Sequence, residues 1–229
     1  MVLSAILGLA LTAAPAGSGP ATAVGYPVQP GDEIITPVGG CTLNFVYDGT
    51  GKQAGKVFVG TAAHCVNKVG DPIKLGATGE TFGKAAFVGN QDNTADDYAF
   101  IQVLTAFVPR VNPAVKGSPA YPKGVTTPTE TATGDLVQLS GYGLGFGATQ
   151  PTQERREAVL GYDDTSIYDV SGPIDWGDSG GPLVHIATGK ALGIVSRLCL
   201  GVCTEEGPTV QGIIARARAR NFPVSLRTV

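Results

Sequence analysis

Gly177-Asp178-Ser179-Gly180-Gly181-Pro182 is the stretch on which the reading of this chain turns. A serine set among small residues in a Gly-rich turn can offer its hydroxyl and nearby backbone N–H groups to one incoming carbonyl. Acyl transfer needs that geometry. The string also satisfies the G-x-S-x-G pattern of a strained strand-to-helix elbow, so it points to a nucleophile without choosing the fold. The histidines make the choice. Only His64 and His185 exist. The elbow architecture requires its histidine well after the serine, and His185 follows Ser179 by only a few residues. His64 precedes it with acidic residues between, which gives the order His, Asp, Ser.

At 229 residues the chain is long enough for a well-buried core, as one large all-β unit or two small barrels. Only 15% of residues are charged, against 33 Gly and 16 Pro, a turn-rich composition unlike that of helical proteins. A net charge of −3 leaves no electrostatic footprint for nucleic acid or an anionic membrane. Val2 to Ala14 is an apolar run too short to span a bilayer, followed by small residues and Pro. It reads as a secretory signal peptide over residues 1–23, although its start lacks the usual Lys or Arg. Four cysteines, Cys41, Cys65, Cys199 and Cys203, are an even count suited to disulfides in an exported protein, with three connectivities open.

Residues 24–33 read as a linker or short pro-segment. From Ile34 onward short apolar runs alternate with turn formers, beginning with Leu43 to Tyr47, Asp48-Gly49-Thr50-Gly51 and Val57 to Val59, which form a hairpin pattern. Further strands are expected at Thr81 to Val88, Tyr98 to Val103, Leu136 to Leu139, Ala158 to Leu160, Pro182 to Ile186, Ala191 to Val195 and Val210 to Ile214. The pattern predicts antiparallel barrels or a sandwich. Pro-rich Val108 to Pro128 is the expected crossing between an N-terminal half, 34–125, and a C-terminal half, 126–229. Ala215 to Arg220 suggests a short terminal helix whose arginines form a solvated face.

Thr61-Ala62-Ala63-His64-Cys65 follows an apolar strand. A bridge from Cys65 back to Cys41 would anchor this loop and contribute about 3 kcal/mol. Asp96-Asp97-Tyr98-Ala99-Phe100-Ile101 sets two carboxylates before another apolar strand; Asp97 abuts the buried run and can be desolvated against an imidazole, whereas Asp96 reads as solvated. His185, on an apolar strand, reads as a packed residue. Trp176 is placed equally well lining a cleft or packing. Gly143 to Ala148 matches a dinucleotide-binding fingerprint only weakly, with Pro151 close behind and no βαβ unit in sight.

Taken together, Thr61-Ala62-Ala63-His64-Cys65, Asp97-Tyr98-Ala99-Phe100-Ile101 and Gly177-Asp178-Ser179-Gly180-Gly181-Pro182 resemble the motifs of trypsin-like, chymotrypsin-fold serine peptidases, especially bacterial secreted members. Ser140-Gly141-Tyr142-Gly143 and Gly193-Ile194-Val195-Ser196 extend the similarity. The resemblance implies an all-β fold of two six-stranded antiparallel β-barrels with a short C-terminal helix and a cleft between the barrels. It implies a secreted, monomeric serine endopeptidase acting on proteins or peptides through His64, Asp97 and Ser179, with Gly177 and Ser179 as the oxyanion hole. It implies no metal or organic cofactor, and no membrane partner once the signal is removed. A catalytically weak, peptidase-like binding protein is the alternative on the same fold.

Several positions depart from the family pattern. No Lys or Arg precedes Lys52, so a tryptic activation cut is absent. Asp178 then needs another partner, or a different cut near Ile34 or Ile35. Pro173 falls where enzymes that cleave after Lys or Arg carry an acid, and Ser196, Arg197, Leu198 and Thr209 are the other expected substrate-binding positions. Together they suggest small or medium apolar residues at the cleavage position, with Asp175 or Arg197 as alternative charged contacts. Asp175 replaces the usual half-cystine before the serine, so Cys199 and Cys203 are expected to close their own tight loop and Cys41 to pair with Cys65.

Overall fold

The structure is a computed structural model and describes residues 25–143, 154–163, 166–198 and 205–229. Its first sheet is formed by β1 (Glu33–Thr36), β2 (Gly39–Thr42), β3 (Val46–Gly49), β4 (Val57–Thr61), β5 (Pro72–Leu75), β6 (Thr81–Val88) and β7 (Ala99–Val103). The second is formed by β8 (Leu136–Ser140), β9 (Glu154–Asp163), β10 (Ile167–Ser171), β11 (Pro182–His185), β12 (Lys190–Ile194), β13 (Arg197–Leu198) and β14 (Glu205–Pro208). Helix α1 (Val210–Ala219) follows, and β15 (Val224–Leu226) returns to pair with β3. The strand orders are β15-β3-β4-β7-β6-β5-β1-β2 and β12-β11-β8-β9-β10-β14-β13, with every pairing antiparallel.

The expected pair of antiparallel barrel-like halves is therefore present. The sheets hold eight and seven described strands instead of six each, partly because the chain's last strand crosses back to the first half. Central strands β4 and β7 are almost wholly buried, which their near-continuous apolar sequence allows. Val46, Val59, Ile73, Phe82 and Ile101 fill the first half; Leu139, Val159, Tyr168, Leu183 and Leu192 fill the second. A third core, with Phe45, Phe58, Phe100, Ile194, Ile213 and Phe222, lies between the sheets and ties the halves together.

Two local readings change. Val210 to Ile214 is not a strand but the opening of α1, because the Thr209 hydroxyl caps the helix by accepting from the Gly212 N–H at 3.0 Å. Val210, Ile213 and Ala217 then share its buried face. Residues 26–32 of the expected linker pack on the first half: Val28 is fully buried, and Asp32 pairs with Lys116 at 3.0 Å. A cut near Ile34 or Ile35 would remove both groups from these contacts.

Cys41 and Cys65 form a disulfide that closes a 24-residue separation and binds β2 to the turn after β4. The expected Cys199–Cys203 bridge, the signal segment and most of the Gly143 to Ala148 stretch lie outside the described residues. Replacing Cys41 and Cys65 together with Ala should cost about 3 kcal/mol in urea unfolding, while a loss below about 1 kcal/mol would mean that other contacts already hold the loop.

Candidate active site

The sheet register brings two loops side by side. Strands β4 and β7 pair with Thr61 opposite Ala99, so the turn after β4, which carries His64, meets the turn before β7, which carries Asp97. Asn93 shapes the second turn by accepting from the Ala95 N–H. The His64 backbone N–H donates to Asp97 Oδ1 at 3.0 Å, and His64 Nδ1 lies 2.8 Å from Asp97 Oδ2. The Ser196 hydroxyl donates to the same Oδ2 at 2.6 Å. Burial raises the proton affinity of Asp97, but the bonds from His64 and Ser196 outweigh it and hold the carboxyl below the usual range. A carboxylate so held favours the His64 tautomer with its proton on Nδ1, leaving Nε2 free to accept one.

Ser179 sits on a turn that only glycine accommodates. Gly177 and Gly180 have φ of 105° and 86°, and a Cβ on Gly180 would fall 2.3 Å from Thr61 Oγ1 and 2.5 Å from the Thr42 carbonyl. Thr42 fastens the turn to the first half: its hydroxyl donates to the Gly177 carbonyl at 2.7 Å and its N–H to the Ser179 carbonyl at 2.9 Å. Among the described residues, the N–H groups of Gly177 and Ser179 find no acceptor.

Beneath the turn, the fully buried Asp178 is gripped by Arg155 from β9 through both terminal guanidinium nitrogens, with Nη1 at 2.5 Å from Oδ2. Gly143 N–H at 2.7 Å and Asp175 N–H at 2.8 Å complete the carboxylate's partners. Gly141 and Gly143 permit this approach, since a Cβ on either would fall within 2.6 Å of an Asp178 oxygen. Arg155 thus supplies the partner that Asp178 requires. Two further acids share this interior, and burial pushes the Glu157 carboxyl up to about 8 and drives that of Glu205 well up.

Two cavities meet at Ser179 and His64. One, of about 440 Å³, is lined by Asp97, Ile174, Asp175, Trp176, Val195, Ser196, Arg197 and Leu198, among others. The other, of about 350 Å³, lies against β1, β2, Tyr142 and Gly177. Ser196, Arg197 and Leu198 are therefore at the cavity where they were expected. Pro173 and Thr209 are not among the described lining residues: Pro173 is exposed, with its carbonyl toward Arg155, and the Thr209 hydroxyl is occupied at the helix cap. Trp176, 75% exposed, borders both cavities. Asp96 is a correction: it is buried, accepts from the Asn90 N–H and pairs with Arg220 at 2.6 Å, so neither is simply solvated. His185 packs as expected, between Thr188 and Asp135. Sequence reasoning missed Thr42, Arg155 and Ile174.

The donor atoms of Cys41, His64 and Cys65 lie within 4.8 Å of one another, but the cysteines are joined to each other and offer no thiolate to a metal. Among the described residues no helix is long and apolar enough to cross a membrane.

Arg155→Met should destabilise the fold by about 3–5 kcal/mol in urea unfolding, because it strands a buried carboxylate. Adding Asp178→Asn should restore part of that loss. A single-variant cost below about 1 kcal/mol would contradict this role for the pair.

A family model described as the trypsin-like peptidase domain matches residues 41–194. Among curated proteins the chain finds no match. Solved structures similar to it include a glutamic acid-specific serine protease whose substrate binding uses a histidine triad, at 20% identity and TM-score 0.61, covering 87% of this chain and 100% of the other. Thermobifida fusca protease A is similar at 21% identity and TM-score 0.58, and Nocardiopsis protease at 19% and 0.57; each alignment covers 88% of this chain and 100% of the relative. These likenesses carry the fold, and the family model carries the membership: the chain belongs to the trypsin-like peptidase domain family and is a serine endopeptidase of that family.

Proposed function

We propose that this chain is a secreted endopeptidase that cleaves proteins or peptides through an acyl-enzyme formed on Ser179. The observation that carries the reading is the 2.8 Å contact between His64 Nδ1 and Asp97 Oδ2 at a cavity that Ser179 also lines. As Ser179 Oγ attacks the scissile carbonyl, His64 Nε2 takes the hydroxyl proton and Asp97 stabilises the imidazolium. The same proton passes to the leaving amine as the C–N bond breaks. Water then attacks the ester, gives its proton to His64 and releases the acid as Ser179 recovers its own. The unspent N–H groups of Gly177 and Ser179 suit the oxyanion in both halves, and removing one such donor elsewhere costs about 2.7–4 kcal/mol.

Ile174, Val195 and Leu198 in the larger cavity support a small or medium apolar residue on the acyl side of the cut, although Asp92, Asp97 and Asp175 line the same cavity. A histidine triad for substrate binding has no counterpart here, because His185 is packed in the second half and only His64 remains. The apolar run Val2 to Ala14 and the Cys41–Cys65 disulfide support export to an oxidising compartment. All three proposed catalytic groups come from one chain, which supports action as a monomer.

Ser179→Ala and His64→Ala should each lower kcat by roughly 10⁴- to 10⁶-fold on a peptide substrate, with the double variant no worse than either. Multiplicative losses in the double variant would overturn the assignment of a shared catalytic unit.

A further inference from the structure

We infer that Glu33 makes this peptidase select a basic residue, Arg or Lys, on the leaving-group side of the scissile bond, within the first two positions after it. The inference rests on the reading of Ser179 as the nucleophile. An extended substrate crossing Ser179 needs backbone partners on each side. Strand β13 ends the second sheet, and its Arg197 and Leu198 face the larger cavity. Strand β2 ends the first sheet, and its Gly39, Gly40 and Cys41 line the smaller one. Among the described residues neither edge is paired with a further strand, so a peptide can add to each. With the acyl portion along β13, beside Ser196, the departing portion falls in the smaller cavity along β2.

That cavity has a definite chemistry. Its described lining includes Glu33, Val38, Tyr142 and Trp176, and Glu33 is the only carboxylate among them; apart from His64 there is no basic side chain. The Glu33 carboxylate lies against two bare glycines: a Cβ on Gly76 would fall 2.2 Å from Oε2 and one on Gly40 3.7 Å from Oε1. Among the described residues it makes no hydrogen bond or ion pair. Lys116, the nearby cation whose field reaches it, is held instead by Asp32 at 3.0 Å and by the Tyr26 hydroxyl at 2.9 Å. Partial burial raises the Glu33 carboxyl somewhat, as expected for a charge lacking a partner. A guanidinium or ammonium entering beside it would meet a carboxylate on one side and the exposed Trp176 indole on another, an arrangement that favours cations and penalises acidic residues.

The test is a peptide library randomised on both sides of the cut, digested by the wild-type protein and sequenced across each cleavage site, followed by peptides of the preferred acyl sequence carrying Arg, Gln or Glu after the bond. The wild type should show kcat/KM in the order Arg, Gln, Glu, with roughly a five- to tenfold span that narrows at high salt. Within E33Q the Arg-to-Glu ratio should fall to below twofold, and within E33K it should invert. Because each ratio is taken inside one variant, loss of folded protein cancels. Wild-type cleavage without charge discrimination on this side, or discrimination that survives in E33Q, overturns the inference while leaving the nucleophile reading intact. Absence of Ser179-dependent cleavage of any library member overturns both.

Discussion

The buried pair of Arg155 and Asp178 is the constraint on which the turn carrying Ser179 depends. A serine flanked by left-handed glycines has little conformational preference of its own, so something outside the turn must fix it. Asp178, one residue before Ser179, is anchored from below by the β9 guanidinium and by the N–H groups of Gly143 and Asp175. Thr42 holds the same turn from the opposite half. Isolated, the ion pair would repay its desolvation poorly; with both carboxylate oxygens satisfied, it fixes one geometry for the backbone around Ser179.

Much of this was legible from sequence, for local reasons. Three short motifs carry His64, Asp97 and Ser179, and turn chemistry separates the strands cleanly enough to read antiparallel sheets. What escaped depends on register. Arg155 lies outside the strand expected at Ala158 to Leu160, and only the longer β9 and its pairing with β8 direct it inward to Asp178. Asp96 looks solvated beside Asp97 until Arg220, from the far end of the chain, arrives with α1. Val210 to Ile214 has the composition of a strand, and the Thr209 cap with the 3.6-residue spacing of its buried face decides for helix. The Thr42 hydroxyl gave no sequence signal at all, because its partners belong to the other half.

The two halves meet through a shared core and a shared cleft. Phe45, Phe58 and Phe100 from the first half pack with Ile194 and α1 residues from the second half, so hydrophobic contact as well as polar bonds sets the relative position of His64 and Ser179. The returning β15 adds a covalently continuous tie. On the outside of that junction, β2 and β13 are the end strands of the two sheets among the described residues, and Trp176 stands between the two cavities they border. The fold thus prepares a path for an extended chain across the proposed nucleophile.

The central claim is an assembled acyl-transfer site at Ser179, and its most direct measurement is reaction of the mature protein with a fluorophosphonate or sulfonyl fluoride, with the adduct located by mass spectrometry. Only a serine with a working base and oxyanion donors reacts selectively among the many present. The account predicts a single adduct on Ser179, abolished by His64→Ala. Folded, mature protein that remains unlabelled, or labelling spread over other serines, would contradict it.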